Sequence, residues 1–141
     1  MQTEFDIVVT ASDLDELGHV NNARYLNFLE AGRMDWYAKI GLIASIEAAQ
    51  HTSGFDTVVV NINIDFSREC LLGEHLKVET SPERLGRKSL ALRQVINKPS
   101  GDLAAEAVVT SVVMDLQTRT AVVLPDSLAA FFDGNLPDAG G

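Results

Sequence analysis

An α+β fold, in which a curved antiparallel sheet wraps around one long central helix, is predicted by three features of the sequence. One short strand pattern comes first. A single long, strongly apolar helical pattern follows it, and the rest of the chain is a series of two-residue alternations separated by short turns. A helix apolar over so much of its circumference is expected to be buried, and a sheet buries it only by curving around it.

The elements follow in order. Residues 5–10 read as the first strand, ending at an acidic loop. Asn21 or Asn22 suits a helix N-cap, and the pattern turns helical from Ala23. Tyr25, Leu26, Phe28, Leu29, Trp36, Tyr37 and Ile40 cover more than one narrow face, Gly32 permits a close backbone approach, and Gly41 is a natural stop. At 19 residues or so this helix is about 28 Å long. Residues 42–54 read as a linker with a helical turn near 43–49. Val60, Ile62, Ile64 and Phe66 then alternate with Asn61, Asn63 and Asp65, a half-buried strand. Leu76, Val78 and Thr80 continue the alternation, and Leu85-Gly86-Arg87 makes a hairpin turn into a strand over 89–96. Residues 104–116, apolar on both faces, form a central strand; 119–124 close the sheet, and Pro125-Asp126-Ser127 opens a short last helix. Such a sheet leaves a strand edge and an apolar surface that favour dimerisation.

Length and composition bound the function. The 141 residues, 46% hydrophobic and 22% charged, suit a single domain over residues 1–133 with a flexible tail at 134–141. No apolar run approaches a membrane span, and the first residues lack signal-peptide character, so a cytoplasmic protein with no membrane partner is expected. Cys70 stands alone, and His19, His51 and His75 show no ligand spacing, so no metal or other cofactor is implied. A net charge of −9 argues against nucleic acid. The charge is uneven, however: residues 84–101 contain no acid but hold Arg84, Arg87, Lys88, Arg93 and Lys98. This segment reads either as solvated strand ends and a turn, or as a patch for a small phosphate-bearing ligand.

The loop from Asp13 to Tyr25 carries the chemistry. It places Asp13, Asp15, Glu16, Gly18, His19, Asn21 and Asn22 between a strand and the start of the helix. A carboxylate at a helix start lies beside backbone N–H groups that can polarise a carbonyl oxygen, as acyl transfer or hydrolysis requires. Glu30, farther along the helix, is spaced for an i,i+3 ion pair with Arg33 rather than for catalysis.

The run Asp15-Glu16-Leu17-Gly18-His19-Val20-Asn21-Asn22, followed by Tyr25-Leu26 and Glu30-Ala31-Gly32-Arg33, resembles the signature of the 4-hydroxybenzoyl-CoA thioesterase-like hotdog proteins. The stretches Ile64-Asp65-Phe66 and 73–80 resemble that family's second and third strands, and the likeness covers residues 4–124. The resemblance implies a hotdog fold, a homodimer or homotetramer, and hydrolysis of acyl-CoA thioesters at the subunit interface. By the same resemblance, Asp15 is the nucleophile or general base, Gly18 gives the tight turn, and the Asn22 backbone N–H meets the thioester oxygen. Asp13 and Glu16 are then support, and His19 either donates to substrate or Asp15 or braces the loop. Arg84, Arg87, Lys88 and Ser89 resemble the segment that meets the nucleotide end of CoA. One branch of the family carries tyrosine where Ala11 stands and histidine where Asn22 stands, so mechanisms using those side chains cannot run here. The alternatives are a non-catalytic acyl-CoA-binding hotdog protein, an acyl-carrier-protein thioesterase, and a hotdog dehydratase or hydratase.

Overall fold

The computed structural model describes residues 1–132, so the tail expected at 134–141 lies outside the described residues. The elements are β1 (Thr3–Val8), α1 (Asn22–Ile40), α2 (Leu42–Gln50), β2 (Phe55–Phe66), β3 (His75–Leu85), β4 (Ser89–Asn97), β5 (Leu103–Asp115) and β6 (Thr120–Ala121). A short 3₁₀ turn at Ala11–Asp13 leads into the acidic loop, and a second at Asp126–Phe132 ends the described chain. The sheet is antiparallel with strand order β1-β3-β4-β5-β2, and β6 pairs with the end of β5.

Helix α1 begins and ends as its terminal residues dictate. Asn21 caps it by accepting from the Ala23 amide at 2.9 Å, and Gly41 ends it in the left-handed region at φ 66°. Its buried residues meet the sheet in two clusters. Tyr25, Phe28 and Leu29 pack with Leu76, Val78 and Ile96, while Trp36, Tyr37 and Ile40 pack with Leu85, Leu90 and Leu92. Between the clusters Gly32 lets the helix touch the sheet: a Cβ there would come within 2.6 Å of Val78 Cγ1. Beside it the Gln94 side-chain amide donates to Leu29 O and Thr80 Oγ1, each at 2.9 Å, and accepts from Arg33 at 3.1 Å.

Four expectations need correction. The Glu30–Arg33 ion pair does not form, because Arg33 turns into the sheet towards Gln94 and is only 3% exposed. The helix is covered on one side only, leaving Leu26 39% and Met34 44% exposed. Residues 42–50 form a full helix, with Leu42 and Ile46 burying the same face one turn apart. Strand β2 starts at Phe55 rather than Val60. A β-bulge between Val59 and Asn61 breaks the two-residue period, so Thr57 and Val59 share a face with Ile62, Ile64 and Phe66. Among the described residues no helix is long and apolar enough to cross a membrane.

Candidate active site

The acidic loop is tied down by its own backbone. The Asp15 amide donates to His19 O at 2.9 Å, and the Gly18 amide donates to Asp15 O at 3.1 Å. This turn needs Gly18 at φ 81°, where side chains other than glycine are strained. Residues 19–20 then run beside 70–71: the Val20 amide donates to Cys70 O at 2.9 Å, and His19 bridges to Leu71.

That pairing brings a residue fifty positions away into the site. His19 Nδ1 lies 3.0 Å from Glu69 Oε2, and His19 Nε2 lies 3.2 Å from Asp15 Oδ2. Both ring nitrogens face carboxylates, an arrangement that the doubly protonated imidazolium satisfies by donating twice. The hydrogen bond to Glu69 is the largest influence raising the His19 pKa above 6.5; partial desolvation opposes it, and the Asp15 charge adds to it. The other Asp15 oxygen accepts from the Leu17 amide at 2.9 Å, which fixes the carboxylate's orientation.

Asp13 is occupied structurally. Its Oδ2 accepts from the Thr10 amide at 2.9 Å and from the Thr10 hydroxyl at 3.2 Å, capping the 3₁₀ turn, and its Oδ1 is 3.7 Å from Arg24 Nε. Asn21 holds the Ala23 amide with its side chain and donates its own amide to Asp13 O at 2.9 Å. The neighbouring Asn22 amide finds no acceptor among the described residues, so an N–H at the positive end of α1 is open to a ligand.

A cavity of about 210 Å³ opens here, lined by His19, Val20, Asn22, Tyr25, Phe66 and Arg68 among others. Asp15 does not line it and reaches it through His19. The Tyr25 hydroxyl donates to Arg68 O at 3.3 Å, and burial pushes its pKa up, so it remains a neutral donor. Its ring meets Phe66 edge to face with centroids 5.2 Å apart.

The basic segment 84–101 does not gather at one place. Arg93 is paired with Glu106, and Lys98 donates to Glu69 O at 2.8 Å, at the loop end of the molecule. Arg84, Arg87, Lys88 and the buried Ser89 belong to the β3–β4 hairpin, packed near the far end of α1, where the Leu124 amide donates to Arg87 O at 2.8 Å. The His75 end of β3 is beside the acidic loop, and the strand's 11 residues span about 35 Å to the hairpin. Within one chain the hairpin and Asp15 are therefore far apart. Glu69 and Arg68 escaped sequence reading because only strand pairing brings them to the loop; the available signal was a charged pair just past the end of an alternating strand.

The position of His19 between two carboxylates has a measurable consequence. Its titration midpoint, read from imidazole nitrogen shifts by NMR, is expected above 6.5 and should fall in Glu69→Gln. The stabilisation from the raised pKa is complete below the unfolded-state value and is lost as pH rises through the folded-state value. A wild-type midpoint at or below 6.5 contradicts the double hydrogen bond.

Comparison with known proteins bears on the family and the class of activity. Residues 9–132 match the model of the thioesterase-like superfamily. The chain is 40% identical over 129 residues to the long-chain acyl-CoA thioesterase FadM of Escherichia coli, covering 91% of this chain and 93% of that protein. Among solved structures, a probable thioesterase (YbaW) from Escherichia coli superposes with TM-score 0.72 at 37% identity, covering 96% of this chain and 98% of that one. A 1,4-dihydroxy-2-naphthoyl-CoA thioesterase from Synechocystis shares the fold at TM-score 0.77 and 21% identity, over 94% of this chain and 97% of its own. The chain belongs to the thioesterase-like superfamily, with the hotdog fold that the curved sheet around α1 describes, and is a thioesterase.

Proposed function

We propose that the chain hydrolyses acyl-CoA thioesters to a free acid and CoA, with Asp15 as nucleophile or general base. The observation that carries this reading is the hydrogen-bonded chain Glu69–His19–Asp15 lying beside the open Asn22 amide. Together they supply a fixed carboxylate and a donor for a developing oxyanion, the two groups thioester hydrolysis needs. The thioester oxygen accepts from Asn22 N–H, where one such donor is worth about 3 kcal/mol of barrier lowering. In the general-base route a water adds to the carbonyl carbon and gives its proton to Asp15; the tetrahedral intermediate then expels the CoA thiolate, which takes a proton. In the nucleophilic route Asp15 displaces the thiolate and water cleaves the resulting anhydride. His19 keeps Asp15 oriented in both. The name of the 40% identical relative, a long-chain acyl-CoA thioesterase, supports the substrate class.

The functional unit in this reading is a homodimer. Strand β2 is a 12-residue edge, and pairing two such edges about a two-fold axis sets the Phe66 end of one against the Phe55 end of the other. The partner's β3–β4 hairpin then approaches the acidic loop, joining what one chain keeps apart. Arg87 and Lys88 across that interface meet the CoA phosphates. The test is Arg87→Ala with Lys88→Ala: KM for an acyl-CoA should rise about tenfold, with KM for the same acyl group on pantetheine within twofold. Equal effects on both thioesters contradict the assignment.

A further inference from the structure

Of the basic residues between 84 and 101, Lys98 lies at the acidic-loop end of the molecule, and its side chain is only 17% exposed. It directly follows β4, and its main chain is held in the turn to β5. The Lys98 amide donates to Asp102 O at 2.9 Å, and the Gly101 amide donates to Lys98 O at 2.8 Å. From that anchor the ammonium donates to Glu69 O at 2.8 Å and lies 3.5 Å from Glu74 Oε1. The same Glu74 oxygen accepts from the Leu71 amide at 2.6 Å, and the Glu74 amide donates to Leu71 O at 3.2 Å. Lys98 therefore ties together both ends of the turn formed by residues 69–74.

That turn is the wall against which His19 rests. The main chain at 19–20 runs along it, and Glu69 Oε2 meets His19 Nδ1 at 3.0 Å. The Glu69 side chain is 60% exposed, and an exposed charge pair is ordinarily weak because two flexible side chains must be ordered and water screens them. Here little is left to order. The His19 carbonyl accepts from the Asp15 amide, its ring is held at Nε2 by Asp15, and Lys98 holds the Glu69 carbonyl. Only the torsions of one glutamate side chain remain to be set.

We infer that Lys98 and Glu69 are positioning residues for the hydrolytic reaction: Lys98 sets the turn, Glu69 turns the His19 ring, and the ring holds the Asp15 carboxylate towards the thioester carbon. The inference rests on the reading of Asp15 above and adds to it two residues that act through His19. The ring serves both carboxylates only while it carries two N–H groups. A neutral ring has one, so it presents a lone pair to one carboxylate and lets that contact go.

The charged and titratable groups around the ring are Asp15 from its own loop, Arg68, Glu69, Cys70 and Glu74 from the segment beside it, Tyr25 from α1, and Lys98 behind the turn. Arg68 is drawn towards Asp102, 3.9 Å away, and Lys98 is paired with Glu74. Burial keeps Tyr25 and Cys70 neutral. The two carboxylates therefore decide the charge of the ring. Turnover is present while His19 is charged and Asp15 ionised, and it falls as pH rises through the His19 midpoint in the folded protein, which lies above 6.5.

The experiment measures kcat and KM for palmitoyl-CoA across about pH 5 to 10 for the wild-type chain, Glu69→Ala, Glu69→Gln, Lys98→Met and the double variant Glu69→Ala with Lys98→Met. Glu69→Ala and Lys98→Met should each lose about tenfold in plateau kcat, with KM within about threefold of wild type. In both, the alkaline limb of kcat should move to lower pH. Glu69→Gln, whose amide oxygen still accepts from Nδ1–H, should regain most of the plateau while keeping the lowered limb. The double variant should match Glu69→Ala within about twofold, because Lys98 acts through Glu69. A double variant that loses the product of the two single losses, an alkaline limb that stays in place in Glu69→Ala, or a loss confined to KM overturns the inference. If Lys98→Met does not fold, the limb positions in the two Glu69 variants decide it. Wild-type turnover with an unaltered profile in Glu69→Ala sinks only this inference, whereas no wild-type turnover at any pH sinks the thioesterase reading and this inference with it.

Discussion

Gly32→Val should lower the thermal midpoint by about 10 °C or more, because it blocks the closest contact between α1 and the sheet. A Cβ at this position meets Val78 Cγ1 at 2.6 Å, and Thr80 Oγ1 and Gln94 Nε2 at 3.2 Å each. Val78, fully buried and held by strands on both sides, has little room to turn away. The helix must therefore lift, which separates Gln94 from Leu29 O and Arg33 and strands buried polar groups. Overpacking costs about 1–3 kcal/mol, and each buried group left without a partner costs a similar amount. Set against a total stability of about 5–15 kcal/mol, this is a large fraction. Thermal unfolding followed by circular dichroism reads the effect, and a midpoint within 2 °C of wild type would show that the clamp does not seat the helix.

Asp15→Asn should lower kcat about 100-fold or more while leaving the fold intact. Asparagine keeps the shape of the side chain, and its carbonyl oxygen can still accept from the Leu17 amide, as Asp15 does at 2.9 Å. The loop's other anchors are backbone bonds, from the Asp15 amide to His19 O and from Gly18 to Asp15 O, and the substitution does not touch them. What disappears is the negative charge beside His19. An amide neither takes a proton from water nor attacks a carbonyl, so the Asn22 amide is left to polarise a thioester that nothing attacks.

Much of this molecule is legible in its sequence because local chemistry decides it. The Asn21 cap, the stop at Gly41 and the Ser89 start of β4 each follow from residues within one turn. The α+β class follows from one helical period among two-residue periods. Legibility fails where distant segments set the outcome. The two-residue period conceals the first five residues of β2, because the Val60 bulge shifts the alternation by one. Glu30 and Arg33 have ion-pair spacing, but the buried Gln94 side chain captures Arg33 from across the sheet. The same holds at the site. Asp15, Gly18, His19 and Asn22 lie within one eight-residue run, and the family resemblance that this run carries picks them out. Glu69 joins them only because residues 70–71 pair with 19–20, and the basic run splits because β4 carries its members to opposite ends.

The account rests on Asp15 as the group that acts on an acyl-CoA. Free thiol released from palmitoyl-CoA, measured side by side for the wild-type chain and Asp15→Asn at matched mass and thermal midpoint, tests that most directly. Steady turnover by the wild type with at least a 100-fold lower kcat in the variant is the predicted result. Equal turnover by the two proteins, or none by the folded wild type, contradicts it.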